Sequence, residues 1–308
     1  VNSGSWIKTM VVQADGKVVI GGAFDRVKGY AVNCLARLNP DGSVDSSFYQ
    51  SPELPYFSII NAIEPTPDGR MLVGSGMRRD QNARHCLRLL SPGGWALDEF
   101  HARPYGDGAM VEHIALAPSH QVVIAGAFAS LNGVERPNLA RLNSDGTLDH
   151  SFDPPPTNGQ IKCLIVQPDG RVVAGHYFDD NGLVTCWLSR YNTDGSRDES
   201  FVTEISGKIY SLYALPDGKL LVGGWFQLPD GREHFVRLNA DGSVDAAFFA
   251  RVILASDDYG VSAIAVQRDG KILIGGEIFS ENLGAQGLLR LHPDGSPDAA
   301  FNEQIHLA

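Results

Sequence analysis

The stretch Asp41-Gly42-Ser43-Val44-Asp45-Ser46-Ser47-Phe48 decides the fold, because variants of it recur six times along the 308 residues. The recurring phrase has the form Asp-Gly-Ser-x-Asp-x-x-Phe, and each copy closes on a phenylalanine. Successive closing residues lie 52, 52, 49, 47 and 53 positions apart; they are Phe48, Phe100, Phe152, Phe201, Phe248 and Phe301. A period of about 50 residues indicates one supersecondary unit repeated along the chain.

A second phrase lies inside each period, an Asp-Gly turn between two apolar runs. In the first period the runs are 7–13 and 17–24, separated by Ala14-Asp15-Gly16. Asp-Gly between two such runs is a strong hairpin signal and predicts a type I′ turn. A third run at 33–38, a turn at Asn39-Pro40-Asp41-Gly42 and a fourth run at 43–48 complete the unit. Each unit therefore predicts four short antiparallel strands.

Six such units predict an all-β fold, a six-bladed β-propeller with four antiparallel strands per blade. Repeats of this kind share one continuous core, so we expect residues 1–308 to form a single domain. The expected repeats span approximately 5–48, 58–100, 110–152, 160–201, 208–248 and 260–301. The sequence leaves open how the ring of blades closes.

The repeats resemble the delta-60 repeat family of bacterial β-propellers. The resemblance covers essentially the whole chain and rests on Val166-Gln167-Pro168-Asp169-Gly170, on Gly21-Gly22-Ala23-Phe24 and on residues 138–146. It implies a repeat protein of the exported or cell-surface kind, without a shared catalytic motif. The second and third units depart from the pattern, at Ser91-Pro92-Gly93-Gly94 and at Pro118-Ser119-His120.

Charge and composition exclude some classes of partner. The formal net charge of −11 argues against nucleic acid, which requires clustered Lys and Arg. Membrane insertion is not expected, since no apolar stretch reaches the length of a membrane span. We expect a monomer. The four cysteines lack metal-ligand spacing and predict buried free thiols, which favour the cytoplasm weakly and oppose the family's indication of export.

One arginine and one aspartate also recur in every unit, and their spacing predicts ion pairs across a hairpin. The predicted pairs are Arg37 with Asp45, Arg88 with Asp98, Arg141 with Asp149, Arg190 with Asp198, Arg237 with Asp245 and Arg290 with Asp298. Six equivalent ligand sites are the alternative interpretation. Calcium at the Asp-Gly turns is a further alternative, although each turn offers only one or two carboxylates. No cofactor and no metal site are predicted.

Departures from the repeat predict a ligand pocket. The position held by Ala23 and Ala127 carries Tyr177, Trp225 and Glu277 in the fourth, fifth and sixth units, and His176 replaces a glycine. The predicted ligand-binding residues are His176, Tyr177, Tyr210, Trp225, Glu277, Asp257, Asp258 and Tyr259. Aromatic rings with carboxylates suit a sugar or another small polar ligand. The alternative is that these side chains fill gaps between blades.

A second candidate cluster lies at equivalent positions of the first strands, where we expect the mouth of a central channel. Its members are Lys8, Asn61, Glu112, Lys162, Tyr210 and Ser262, with His113 beside Glu112. This cluster is predicted to hold an anion, a metal or a ligand on the axis, and ordered water is the alternative. A histidine without a second one at a matching position is a poor metal ligand.

These patterns favour a noncatalytic binding or scaffold propeller that presents variable loops to a carbohydrate, peptide or protein partner. The alternative is a hydrolase or lyase acting at the channel mouth through Glu112, His113 and Glu277. No nucleophile elbow, zinc-binding His pair or phosphate loop is present in the sequence, so no catalytic residue is assigned.

Overall fold

The computed structural model describes residues 5–48, 59–76, 86–157, 159–181, 183–248, 253–254, 260–279 and 286–304. The chain divides into two compact units, Val1–Thr157 and Asn158–Ala308. The first unit contains the first three sequence repeats and the second unit contains the other three. Whether they form one domain remains a prediction. Within the described residues, no helix is long or apolar enough to cross a membrane.

The first unit is built from short strands. They are β1 Trp6–Val12, β2 Val18–Ala23, β3 Arg26–Val27, β4 Tyr30–Ala31, β5 Leu35–Leu38, β6 Ile59–Pro65, β7 Met71–Gly76, β8 Leu87–Leu90, β9 Pro104–Tyr105, β10 Met110–Leu116, β11 Val122–Ala127, β12 Ser130–Leu131, β13 Val134–Glu135 and β14 Leu139–Leu142.

The second unit has longer hairpins and one helical turn. Its elements are β15 Gln160–Val166, β16 Val172–Asp180, β17 Leu183–Tyr191, β18 Ser206–Ala214, β19 Leu220–Gln227, β20 Glu233–Leu238, β21 Ile253–Leu254, β22 Val261–Val266, β23 Ile272–Phe279, β24 Gln286–Leu291 and α1 Ala299–Asn302. The chain is therefore all-β with almost no helix, as predicted.

Each repeat is an antiparallel meander of three main strands. The first repeat has the order β1-β2-β5, the fourth β15-β16-β17 and the fifth β18-β19-β20. The predicted fourth strand contributes an isolated bridge, such as Leu38 with Val44 in the first repeat. It is short because Phe48 N–H donates to Asp45 O in a tight turn, which ends strand pairing.

The Asp-Gly hairpin turns are not of type I′. In the first hairpin Gly16 N–H donates to Gln13 O at 2.9 Å, and Gln13 N–H donates to Lys17 O at 2.8 Å. Gly16 has a φ of 80°, whereas Asp15 is not among the residues with positive φ. This is a three-residue loop, a type I turn followed by a left-handed glycine. The Asp15 carboxylate accepts the Lys17 N–H at 3.1 Å and so serves the turn.

A β-bulge falls at the same place in the first strand of every repeat. The register shifts lie at Ile7/Thr9, Ile60/Ala62, Val111/His113, Ile161/Cys163, Ile209/Ser211 and Val261/Ala263. These shifts skip Lys8, Asn61, Glu112, Lys162, Tyr210 and Ser262, so these residues hold equivalent strand positions, whereas His113 pairs with Ala125. Their place at a channel mouth stays a prediction. A Cβ on Gly22 would lie 2.2 Å from Trp6 O, which explains the glycine opposite this bulge.

The cores of each unit lie between neighbouring repeats. In the first unit Ile60 of the second repeat is fully buried, and its Cγ2 would lie 2.5 Å from a Cβ on Gly21 of the first. In the second unit Ile209 and Val222 of the fifth repeat pack with Val173 of the fourth. Burial of one such aliphatic side chain stabilises the fold by about 1.5–3 kcal/mol. The four cysteines are free; three are buried and Cys186 is half-buried.

Buried ion pairs tie the closing turn to the third strand in five repeats. In all five, the arginine Nε atom lies 2.7–2.8 Å from its aspartate. Lysines join three of these clusters. The Lys219 hydrogen bond lowers the pKa of Asp245 to about 2. These contacts support the structural interpretation of the recurring arginines and aspartates.

The predicted pair of Arg88 with Asp98 is wrong. Strand pairing sets Leu72 opposite Leu89, as Val19 is opposite Arg37 in the first repeat. Leu89 therefore holds the arginine position. Leu97 N–H donates to Leu89 O, as Asp45 N–H donates to Arg37 O, so Leu97 holds the aspartate position. The second repeat has an apolar pair where the other five have an ion pair.

Candidate functional site

The fourth repeat carries an unusually long hairpin. Strands β16 and β17 pair without interruption, from Val172 opposite Tyr191 at one end to Asp180 opposite Leu183 at the other. In the first repeat the pairing of the second and third main strands ends where Gly21 lies opposite Leu35. In the third repeat it ends where Ala125 lies opposite Leu139. The extension places Tyr177 opposite Cys186, beyond the point at which those repeats turn into loops. The candidate site is built on this extension.

His176 occupies the place of the glycine that faces the bulge in the first repeat. The residue is 3% exposed, and its ring stacks on Trp187 with centroids 4.9 Å apart. The Nε2 atom lies 3.3 Å from the Tyr191 hydroxyl. The Nδ1 atom has no hydrogen-bond partner among the described residues. A buried polar atom without a partner is costly, so it identifies a place where a ligand or water would be stabilised.

A pocket of about 270 Å³ opens beside this histidine, entirely within the second unit. We call it the lysine pocket; it is lined by Lys162, His176, Tyr177, Cys186, Lys208, Ile209 and Tyr210. Its walls come from β15, β16, β17 and β18. It therefore lies between the fourth and fifth repeats, and its volume suits a small molecule or one sugar residue.

Two ammonium groups meet aromatic rings at this pocket. Lys162 Nζ lies 5.6 Å from the centroid of Tyr177, and Lys208 Nζ lies 5.9 Å from that of Trp225. Such contacts contribute about 0.5–1 kcal/mol at exposed sites. No carboxylate is among the lining residues. Within the described residues, the lysine salt bridges involve Lys17, Lys219 and Lys271, and neither pocket lysine.

Burial favours the neutral forms of His176 and Cys186. It lowers the pKa of His176 to about 4, assisted by the charge of Arg197. Burial also raises the pKa of the Cys186 thiol, against a smaller opposing effect of Lys208. The pKa of Tyr177 is raised by desolvation and by Asp179, whose carboxylate lies 3.5 Å from the Tyr177 hydroxyl. Lys162 and Lys208 are the cationic residue types of this lining.

The structure brings together four of the predicted residues, from both predicted clusters: His176, Tyr177, Tyr210 and Lys162. Trp225 is 39% exposed and contacts the pocket through Lys208. Glu277 is exposed on β23 and is not among the lining residues. Residues 257–259, which include the predicted Asp257, Asp258 and Tyr259, lie outside the described residues.

Sequence reasoning missed Lys208 and Cys186. Lys208 pairs with Trp225 across β18 and β19, and Cys186 pairs with Tyr177 across β16 and β17. Cross-strand neighbours share a face, but the bulge at Ile209/Ser211 shifts the register by one residue, so extending the β18–β19 hairpin from its Asp-Gly turn does not find Lys208.

Three of the other predicted channel-mouth residues, Lys8, Asn61 and Ser262, have hydrogen-bond partners of their own. In the first unit Lys8 Nζ donates to Asn61 Oδ1 at 2.9 Å, and Asn61 Nδ2 donates to Val111 O at 3.3 Å. Glu112 and His113 are half-buried on β10. In the second unit Ser262 Oγ donates to Gly275 O at 3.3 Å.

No metal cluster is found among these residues. The residues that the structure describes include no group of three or more His, Cys, Asp or Glu side chains placed to hold a metal ion. The Asp-Gly turn carboxylates accept backbone N–H groups, as Asp41 does from Ser43 at 2.8 Å. Calcium at these turns stays an untested alternative.

A family model matches five segments that together make up more than half of the chain. The family is described as "Domain of unknown function (DUF5122) beta-propeller", and the segments are residues 13–48, 121–152, 167–201, 215–248 and 267–301. The unmatched repeat is the second, where Leu89 and Leu97 replace the ion pair. A repeat family of β-propellers is thus supported, while the name delta-60 stays a resemblance. No curated protein matches the chain.

Several solved structures are similar to this chain, and two of them, with TM-scores above 0.5, share its fold. The extracellular domain of a "putative one component system" from B. thetaiotaomicron has a TM-score of 0.56 and 13% identity, over 96% of this chain and 33% of that chain. A "putative gluconolactonase" has a TM-score of 0.51 and 17% identity, over 89% and 86%. A calcium-binding protein, regucalcin, from Agrobacterium tumefaciens has a TM-score of 0.48 and 16% identity, over 75% and 70%. The chain spans about a third of the first of these, and the identities show the fold alone.

Proposed function

The chain belongs to the DUF5122 beta-propeller family, and from that premise we propose that it is a noncatalytic binding propeller whose lysine pocket takes an acidic carbohydrate. In this proposal the six repeats are six blades. Propellers support many unrelated activities, so the family supplies the scaffold and the pocket supplies the argument. A carbohydrate is one of the three partner classes that the sequence favours. The pocket lysines favour a carbohydrate that carries an acidic group.

The observation that carries the proposal is the unneutralised positive charge of the lysine pocket. Lys162 and Lys208 line it together, and among the described residues no carboxylate lines it with them. The chain as a whole has a formal net charge of −11, so this local charge runs against the composition. A ligand carboxylate would form charge-assisted hydrogen bonds with the ammonium groups, which are about twice as strong as neutral ones.

The remaining lining residues suit the body of a sugar. Tyr177 and Tyr210 offer ring faces against which the apolar face of a sugar packs. A neutral imidazole has one donor and one acceptor nitrogen. Tyr191 engages His176 Nε2, and the buried Nδ1 atom, which has no partner among the described residues, would be satisfied by a ligand hydroxyl that reached it.

Isothermal titration calorimetry with a hexuronic acid trisaccharide and a neutral hexose trisaccharide tests the proposal. We expect the acidic ligand to bind more tightly, and Lys162→Gln and Lys208→Gln each to weaken it about tenfold, the equivalent of about 1.4 kcal/mol. Lys8→Gln is the matched control, since Lys8 holds the same bulge position in the first unit. Equal affinity for both sugars, or equal losses in all three variants, would contradict the proposal. If acidic peptides bind and neither sugar does, the ligand of the pocket is a peptide and the carbohydrate proposal is wrong.

A hydrolase or lyase remains the alternative function. Within the lysine pocket the resting charge states oppose a cysteine nucleophile, because Cys186 is held as a thiol and His176 as a neutral imidazole. Glu112 and His113 stay untested as a catalytic pair. A screen with chromogenic glycosides, lactones and esters checks this alternative. Turnover that disappears in Glu112→Gln, with the fold intact by circular dichroism, would favour it over noncatalytic binding.

A further inference from the structure

The second repeat contains a pocket of a different kind, which we call the leucine pocket. It has a volume of about 290 Å³ and lies in the first unit, between the second and third repeats. It is lined by Thr66, Pro67, Asp68, Arg70, Leu72, Leu89, Phe100, Leu116, His120, Val122 and Ser144. Leu72, Leu89, Phe100 and Val122 are buried and form an apolar floor. The other lining residues come mainly from the hairpin turns and form a polar rim.

The repeat itself explains why this space is open. In the first repeat the Arg37 guanidinium lies over the closing Phe48 ring, 4.7 Å from its centroid. The same arginine donates to Pro92 O in the next repeat at 2.5 Å. Arg190 makes the equivalent contacts with Phe201 and with Ala240 O. A planar guanidinium thus normally covers the phenylalanine and bridges to the next repeat.

Leu89 cannot do either, because it is shorter and has no donor. Phe100 consequently lines a cavity. The residue that follows the first strand also contributes to the open space. In the fourth repeat this residue is Gln167, which donates to Gly218 O of the fifth repeat at 3.2 Å; in the second repeat it is Thr66. The Thr66 hydroxyl turns to Asp68 instead, at 2.5 Å.

The charges at the rim are already paired with one another. Arg70 Nε lies 2.6 Å from Asp68 and Arg70 Nη1 lies 2.6 Å from Glu99. The aspartate that receives the matching lysine in the first repeat, Asp45, is replaced by Leu97. Two carboxylates and one guanidinium leave no excess positive charge to attract an anion. Of the two carboxylates only Asp68 lines the pocket, and Arg70 and Thr66 already engage it, so a cation would have to displace these contacts.

We propose that the leucine pocket binds a small, planar, uncharged aromatic molecule that carries one hydrogen-bond donor. Its ring takes the place of the guanidinium that covers the closing phenylalanine in the other repeats. Its donor takes the place of the arginine N–H, directed at the turn of the third repeat that contains Ser144. An apolar cavity of about 150 Å³ is large enough for benzene, so a cavity of this volume admits a bicyclic ring.

Indole is the probe that tests this site, by calorimetry and ligand-observed NMR. Thr66→Gln restores the filling side chain of the first and fourth repeats, and Ser144→Trp blocks the rim. We expect saturable one-to-one binding to the unaltered protein, and a loss of at least about tenfold in each variant. Thr193→Trp is the matched control, since Thr193 holds the Ser144 position in the fourth repeat; it should leave the affinity unchanged.

Chemical analogues decide the ligand class. N-methylindole lacks the donor, indole-3-acetate is anionic and tryptamine is cationic, and we expect all three to bind more weakly than indole. Absence of saturable indole binding, unchanged affinity in both pocket variants, or tighter binding of either charged analogue would overturn the proposal. If Thr66→Gln fails to fold by circular dichroism, Ser144→Trp decides alone, because Ser144 is exposed. Neither pocket variant touches the lysine pocket, so failure here leaves the carbohydrate proposal standing.

Discussion

The fourth and second repeats use the same sequence cassette with opposite chemistry. Arg190 and Asp198 form a buried ion pair at 2.8 Å in the fourth, where the second has Leu89 and Leu97. Both repeats also replace the glycine that faces the bulge elsewhere, by His176 and by Ser75. One repeat contributes to a cationic pocket and the other to an apolar one.

The comparison teaches that the closing cluster can be charged or apolar without loss of the strand register. Leu90 bridges Ala96 in the second repeat as Tyr191 bridges Arg197 in the fourth. A buried ion pair and an apolar pair of similar volume are often nearly equal in stability, whereas a half-broken pair is costly. A pocket then forms where a side chain that fills this space in the other repeats is replaced and its neighbours stay the same.

The largest expected effect comes from breaking the fourth repeat's pair on one side. Asp198→Asn leaves the Arg190 guanidinium, 3% exposed, without a balancing charge, and should lower the free energy of unfolding by about 3 kcal/mol. Transplanting the second repeat's pair, as Arg190→Leu with Asp198→Leu, should recover most of that loss. Urea unfolding of both variants measures the difference. A double variant less stable than Asp198→Asn would show that the two repeats are not interchangeable.

An intermediate effect concerns the pH dependence that His176 confers. Its pKa of about 4 lies below the ordinary value of 6.5, so the unfolded chain binds a proton first as the pH falls. The stability is therefore complete above about pH 6.5 and decreases toward pH 4. His176→Ser introduces the residue type of the second repeat and should remove about 2 kcal/mol of the decrease between about pH 7.5 and about pH 5. Parallel slopes for both proteins in urea titrations at these pH values would refute this assignment.

The smallest effect is expected at the exposed glutamates that precede the closing phenylalanines. Glu99 lies 2.6 Å from Arg70 in the second repeat, and Glu199 lies 3.7 Å from Arg197 in the fourth. Both carboxylates are largely exposed, and surface pairs contribute about 0–1 kcal/mol. Glu99→Gln and Glu199→Gln should each shift the free energy of unfolding by less than about 0.5 kcal/mol. A larger loss in Glu99→Gln would mean that Arg70 supports the leucine pocket more than its geometry indicates.

Much of the fold could be predicted because the cassette carries local signals. Asp-Gly turns, apolar runs and closing phenylalanines depend on neighbours close in sequence. Alignment also placed Lys8 and Lys162 at equivalent positions, although the bulges at those positions were not predicted. Of the candidate site, His176 and Tyr177 were found as departures from the repeat, and Lys162 and Tyr210 from their equivalent positions in the first strands. Lys208 was missed because it is not a departure from the repeat. Its role is evident only from Trp225, which lies opposite it on the neighbouring strand.

The sequence by itself determined the repeat, the antiparallel hairpins and the positions where departures occur, since each depends on contacts within about 50 residues. Only the tertiary structure decided that Arg88 lies opposite Val73, one place away from the arginine of the other repeats. A shift of one residue moves a side chain to the other face of its strand, so Leu89 rather than Arg88 faces the closing cluster. Pairing and packing between distant strands fix that choice, and with it which pocket is charged and which is apolar.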